Sequence, residues 1–133
     1  METFLPIPIE TVTDIVTARQ RGRDTARVMG FSETEATLIA TIISELARNI
    51  VLYAKSGEIV ISNSDGEARK GISIVSRDHG PGIADIQRAL LGGYSTSGGL
   101  GLGLCGVRRM VDEFHLESAP NKGTTVSVKK WLR

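Results

Sequence analysis

Two polar side chains capable of chemistry lie four residues apart in a long apolar segment. They are Glu45 and Asn49, and residues at i and i+4 of a helix project from the same face. A carboxylate at such a position can accept a proton, and an amide oxygen can bind a hard cation such as Mg²⁺. The same spacing is also typical of a solvated face on which Glu45 pairs with Arg48, so both interpretations stay open at this point.

A second group of residues follows a strand-like run and begins with Asp78-His79-Gly80-Pro81-Gly82. Two glycines and a proline of fixed φ predict a rigid corner with few side chains. A flat ring can lie against such a corner while the carboxylate of Asp78 accepts hydrogen bonds from its amino group. A plain Asp-Gly-Pro-Gly turn is the alternative.

The third feature is a loop over residues 92–103 with six glycines in twelve positions. Ordering so many glycines is entropically costly, so the loop is either mobile or ordered by a ligand that binds its N–H groups. A predicted helix follows, and the N-terminus of a helix favours an anion such as phosphate. The Gly-x-Gly-x-x-Gly pattern at 101–106 does not follow a predicted strand, which argues against a dinucleotide-binding βαβ unit.

The elements that position these residues follow from periodicity, capping and turn signals. We expect an edge strand or an extended arm over residues 4–9 and helices over 11–29 and about 32–55. A β-hairpin from 58–63 and 71–77, a short helix over 83–91 and a helix running to Phe114 follow. A second hairpin from 115–119 and 124–132 ends the chain of predicted elements. Helices that are segregated from antiparallel strands predict an α+β fold. It would be a two-layer sandwich with the helices on one face of a mixed, mostly antiparallel sheet.

Length and composition limit the possibilities further. With 133 residues, 23% charged residues and a net charge of +1, the chain fits one globular domain (1–133) and not a broadly basic nucleic-acid binder. The longest nearly apolar run, residues 38–43, is far shorter than the roughly 20 residues of a bilayer span. A single cysteine, Cys105, is typical of a reducing compartment, so we expect a cytoplasmic protein.

Taken in order, these motifs resemble those of the GHKL ATP-binding family, which includes histidine kinases, gyrase, Hsp90 and bacterial anti-sigma kinases. Gly123-Thr124-Thr125 is similar to the last motif of that family. Segments 43–49, 78–83, 95–101 and 130–133 resemble its serine/threonine switch kinases of the stressosome. The resemblance covers nearly the whole chain and implies the Bergerat (GHKL) form of the α/β sandwich, with ATP and Mg²⁺ as cofactors.

The resemblance also implies a role for individual residues. Glu45 would be the general base, Asn49 would hold Mg²⁺, and Asp78 would accept the adenine amino group. Gly80 and Gly82 would let the backbone approach the ring, and Thr124 would support Asp78 from the neighbouring strand. The lid over the triphosphate would comprise Ser97, Gly98, Gly99, Leu100, Gly101, Leu102 and Gly103.

One position departs from the family pattern. Anti-sigma kinases often have an arginine just before the lid glycines, where this chain has Ser97. Phosphoryl transfer depends on alignment and charge neutralisation. We therefore expect slow turnover.

The first predicted helix carries Arg19, Arg23 and Arg27 at i, i+4 and i+8. Like charges at this spacing disfavour a helix by about 0.2–0.5 kcal/mol per pair. The stripe is either a solvated face partly balanced by Asp24 or a ridge that binds an acidic partner.

The resemblance implies which partners these would be. They are STAS-domain substrates phosphorylated on serine or threonine, namely a stressosome scaffold and an anti-sigma antagonist, and then a PP2C-type phosphatase, with no nucleic acid or membrane. The alternative function is an anti-sigma factor that sequesters a sigma factor and uses ATP as a structural ligand.

Overall fold

The structure, a computed structural model, describes residues 6–65, 69–80 and 103–132. The short helix predicted over 83–91 and the loop at 92–102 lie outside these residues. The described elements are β1 (Ile7–Ile9), α1 (Val12–Met29), α2 (Glu33–Asn49), a π-helical turn (Ile50–Ala54), β2 (Gly57–Asp65), β3 (Lys70–Asp78), α3 (Gly103–Met110), β4 (Glu113–Ser118) and β5 (Thr124–Trp131).

The five strands form one sheet in the order β1-β2-β3-β5-β4, and every neighbouring pair is antiparallel. The predicted α+β architecture and both predicted hairpins are therefore confirmed. The register places Asp78 opposite Gly57 and Arg77 opposite Thr125. The C-terminal end of β3 thus lies between the first residues of β2 and β5, which is where the site is built.

The helices and the sheet share one hydrophobic core, which α2 crosses. A side chain at Gly22 of α1 would overlap Ile43, so the absence of a Cβ lets α1 approach α2 closely. The largest fully buried side chains come from every layer of the fold: Ile9, Ile39, Ile42, Ile43, Leu46, Ile50, Ile59, Ile72, Ile74, Val107 and Val128. This burial holds α2 rigidly over β3.

The ends of the first two helices follow the sequence signals. Gly30 has a φ of 103° at the end of α1, and the Ser32 side chain accepts a hydrogen bond from the Glu35 N–H at the start of α2. At the start of α1, the backbone N–H groups of Glu10 and then Thr11 donate to the carboxylate of Asp14 and lower its pKa.

Two other helix ends differ from the prediction. The helix predicted to reach Phe114 ends at Met110, because residues 113–118 alternate between exposed and half-buried positions and pair with β5 as a strand. After Asn49, α2 widens into the π-helical turn, which ends at Lys55 with a φ of 73°.

The segment Glu33–Ala54 is long and apolar enough, by composition, to cross a membrane. Half of its most apolar window is buried inside the domain, as expected for the core helix of a folded domain.

Candidate functional site

Glu45 lies on the buried part of α2. The residue is only 9% exposed, and no other residue of the described segments donates a hydrogen bond to its carboxylate or forms an ion pair with it. The alternative of a solvated face on which Glu45 pairs with Arg48 is therefore wrong. The neighbouring turns of α2 are buried on nearly all sides, which fixes the position of this carboxylate.

Glu45 is largely buried, and partial loss of hydration without a partner is unfavourable for a carboxylate, although its oxygens are not fully enclosed by the described residues. Natural folds keep such unfavourable groups mainly where function requires them. The environment of Glu45 therefore makes it a candidate functional residue.

Asn49 is the last residue of α2 and is half-buried, one turn after Glu45 on the same face. The π-helical turn begins immediately after it and carries the chain towards the start of β2. Leu52 and Tyr53 of this turn remain about half exposed, whereas Ile50 is buried.

Asp78 ends β3 and is held by two main-chain groups. Its Oδ1 accepts the N–H of Gly80 at 2.9 Å and the N–H of Thr124 at 3.1 Å. Within the described residues, neither bond uses Oδ2. One carboxylate oxygen thus fixes the side chain, and the other can accept a hydrogen bond from a ligand.

The backbone around Asp78 is too crowded for side chains at three glycines. A Cβ at Gly57 would lie 2.3 Å from the Arg77 carbonyl oxygen, and one at Gly123 would lie 2.2 Å from that of Asp78. A Cβ at Gly80 would lie 2.6 Å from the Cβ of Ala54 in the π-helical turn. The sequence predicts that Gly80 lets the backbone approach a ring. In the structure, its lack of a side chain lets it pack against Ala54.

Thr124 supports Asp78 through its main chain. Its N–H donates to Asp78, while its hydroxyl lies 2.9 Å from the Oγ of Ser118. Ser118 was not identified from the sequence. Its position just before a predicted turn is the one signal that points to it, and that signal is weak.

The remaining predicted residues fall into three places. Gly103 is the first residue of α3. Gly82 and the lid residues 97–102 lie outside the described segments. The arginines predicted to bind a partner lie on α1, where Arg27 donates two hydrogen bonds to the carboxylate of Glu33 and lies 3.7 Å from Asp24. The ion pair with Arg27 lowers the pKa of Glu33.

The donor set at the α2 end of the site fits a magnesium ion. The described residues contain no cluster of three His, Cys, Asp or Glu side chains that could hold a metal by themselves. Mg²⁺ is usually bound by one or two protein oxygens and completes its shell with water and substrate phosphates. The amide oxygen of Asn49 is suited to that role.

Comparison with known proteins identifies the family. Residues 34–133 match the family described as histidine kinase-, DNA gyrase B-, and HSP90-like ATPase. The serine/threonine-protein kinase RsbT of Bacillus subtilis is 50% identical over 127 residues, covering 96% of each chain. The anti-sigma F factor of Geobacillus kaustophilus is 32% identical over 107 residues, covering 74% of this chain and 70% of that protein.

Solved structures share the fold at low identity. The mycobacterial sensor histidine kinase MprB is 14% identical with a TM-score of 0.56, covering 97% of both chains. The catalytic domain of histidine kinase ThkA is 18% identical with a TM-score of 0.52, covering 97% of this chain and 95% of that one.

The environment of Glu45 generates a prediction about stability. Glu45→Gln keeps the shape and removes the buried charge, so we expect the free energy of unfolding to rise by about 0.5–2 kcal/mol in urea titrations. The matched control is Glu33→Gln, which removes an exposed partner of Arg27 and should not stabilise the protein. A loss of stability in Glu45→Gln would mean that the carboxylate is held by favourable interactions.

Proposed function

Because the chain belongs to the family of histidine kinase-, DNA gyrase B- and HSP90-like ATPases, we propose that it binds Mg·ATP and phosphorylates a serine or threonine of a protein partner. The observation that carries the proposal is the nearly buried Glu45 carboxylate, which has no partner among the described residues and lies one helical turn before Asn49. The 50% identity to a serine/threonine-protein kinase supports the type of reaction.

Asp78 would recognise the base. Two main-chain N–H groups fix its Oδ1, so that Oδ2 can accept a hydrogen bond from the amino group of adenine. A purine without an amino group at that edge leaves Oδ2 unpaired. The site would therefore prefer adenine.

Glu45 would act as the general base. It would take the proton of the acceptor hydroxyl while that oxygen forms a bond to the γ-phosphorus and the bond to the ADP oxygen breaks. Asn49 would hold Mg²⁺, which when bound neutralises charge on the phosphates. The lid residues Ser97 to Gly103 would cover the triphosphate, and turnover would be slow because Ser97 adds no positive charge.

We further propose that residues 1–133 act as one domain in the cytoplasm, within a pathway that regulates a sigma factor in stress. The substrates would be STAS-domain proteins of a stressosome, and a PP2C-type phosphatase would bind the released kinase. A second function, sequestration of a sigma factor with ATP as a structural ligand, is supported by the 32% identity to an anti-sigma F factor.

The two functions are separated by a transfer assay. We expect label from [γ-³²P]ATP to appear on serine or threonine of a purified STAS-domain protein and to be absent with Glu45→Gln, while ATP still binds this variant. Transfer that persists at the wild-type rate in Glu45→Gln would exclude Glu45 as the base. Absence of transfer, together with tight binding of a sigma factor, would favour the second function.

Asp78→Asn provides a near-isosteric test of base recognition. The asparagine Oδ1 can still accept the two main-chain N–H groups, but its NH₂ cannot accept a hydrogen bond from adenine. We expect ATP affinity to fall more than about tenfold, which corresponds to about 1.4 kcal/mol, with unchanged thermal unfolding. Unchanged affinity in calorimetry would remove the adenine assignment.

The partner surface would be a stripe of α1 that is exposed at Val12, Val16 and Arg19 and half-buried at Arg23. Val12 and Val16, 70% and 47% exposed, lie on the same face as Arg19 and Arg23 at 100° per residue. Arg27 contributes less charge because Glu33 already binds it. The Nε of Arg23 is buried without a hydrogen-bond partner in the described part of the chain. An apolar and basic stripe of this kind fits an acidic protein surface.

Charge reversal tests this surface. Arg23→Glu should weaken binding of the STAS-domain protein and leave ATP affinity unchanged, as measured by calorimetry with each ligand. Arg21→Glu is the control because Arg21 lies about 160° around the same helix from Arg23. Equal effects of the two variants would show that net charge, and not this face, determines binding.

A further inference from the structure

Ser118 is the last residue of β4, and its hydroxyl links the two ends of the turn between β4 and β5. Its hydroxyl donates to the carbonyl oxygen of Gly123 at 3.1 Å. The same oxygen lies 2.9 Å from the hydroxyl of Thr124. Since the single hydroxyl proton of Ser118 is used on Gly123, Thr124 is the donor in the second contact.

The peptide unit between Gly123 and Thr124 joins these contacts to Asp78. Its C=O accepts the hydrogen bond from Ser118. Its N–H lies in the same plane, points in the opposite direction and donates to Oδ1 of Asp78. The hydroxyl of Ser118, this peptide and the carboxylate of Asp78 therefore form a continuous hydrogen-bonded chain. Such chains polarise their members, so a donor to the C=O makes the N–H a stronger donor.

We propose that Ser118 is a positioning residue for the base-recognising carboxylate, an inference that rests on the proposed role of Asp78. Gly123 has a φ of 78° and packs directly on the Asp78 carbonyl, so the orientation of this peptide determines where the Asp78 side chain is held. Ser118 fixes that orientation from the side away from Asp78. It acts on nucleotide selectivity without touching the nucleotide.

The consequence is specific to the amino edge of the base. Without the Ser118 hydroxyl, the Gly123 carbonyl loses its donor and the Thr124 N–H holds Asp78 less firmly. ATP affinity should fall about fivefold, the equivalent of one hydrogen bond. The affinity for purine riboside triphosphate, which lacks the amino group, should change little, because phosphate contacts dominate its binding. The ratio of the two affinities is therefore the informative quantity.

The experiment measures binding of ATP and of purine riboside triphosphate to the full chain by calorimetry, with thermal unfolding as the check of folding. Ser118→Ala should reduce the preference for ATP, and Ser118→Thr, which retains a hydroxyl, should restore it. Ser127→Ala, a half-buried serine of β5, is the control and should keep the preference. If Ser118→Ala does not fold, Ser118→Cys, with a weak donor of similar size, replaces it.

The variant Asp78→Asn separates this inference from the proposed function. If Asp78→Asn loses the preference for ATP and Ser118→Ala retains it, the role of Ser118 is overturned and that of Asp78 stands. If Asp78→Asn retains the preference, the base assignment itself fails. Loss of ATP preference in Ser118→Ala that Ser118→Thr does not restore would indicate a packing effect, which also overturns the proposal.

Discussion

A single carboxylate oxygen, Oδ1 of Asp78, holds the end of β3 against the start of β5 by hydrogen bonds. It binds the N–H of Gly80 two residues ahead and the N–H of Thr124 forty-six residues ahead. Because Gly80 packs against Ala54, the same contact also fixes the end of the π-helical turn relative to β3. The positions of Asn49 and of Oδ2 of Asp78 are therefore set by one cluster of close backbone contacts.

The two acidic residues of the site are held in opposite ways. Asp78 is half-buried, and two main-chain donors fix the orientation of its carboxylate. Glu45 has no such donor among the described residues and is kept in place by the burial of its helix. A carboxylate that no main-chain donor occupies can contact an acceptor hydroxyl, whereas a fixed carboxylate can present one oxygen to one edge of a base. The two proposed roles would thus be distinguished by environment and not by residue type.

Much of the fold followed from local sequence signals because those signals are themselves local. Apolar periodicity, the glycine at the end of α1 and the turn residues of the hairpins act within a few positions. The end of α3 was predicted wrongly because an amphipathic helical pattern runs into a segment that pairs with β5, and that pairing is a tertiary contact. The π-helical turn has no sequence signature. It is stabilised by contacts with Gly57 and Gly80.

The same distinction explains which candidate site residues could be proposed from the sequence. Glu45, Asn49 and Asp78 lie in recognisable motifs, whereas Ser118 contacts a carbonyl oxygen five residues away and leaves no pattern of residue types. The pairing of Arg27 with Glu33 crosses the junction of two helices. It depends on the angle between them, which composition and spacing do not determine.

Most of the contacts that shape the corner around Asp78 are made by main-chain atoms. Backbone N–H groups and glycines can be retained while most side chains change, which is consistent with structural neighbours at 14% and 18% identity that keep the fold. The side chains on the stripe of α1 can change without disturbing these backbone contacts, since they contribute little to the core. A family built in this way can keep one nucleotide site and exchange partners by changing one helical face. If α1 is the partner surface proposed above, the protein target of this chain would be encoded on α1, in residues that the proposed nucleotide site would not use.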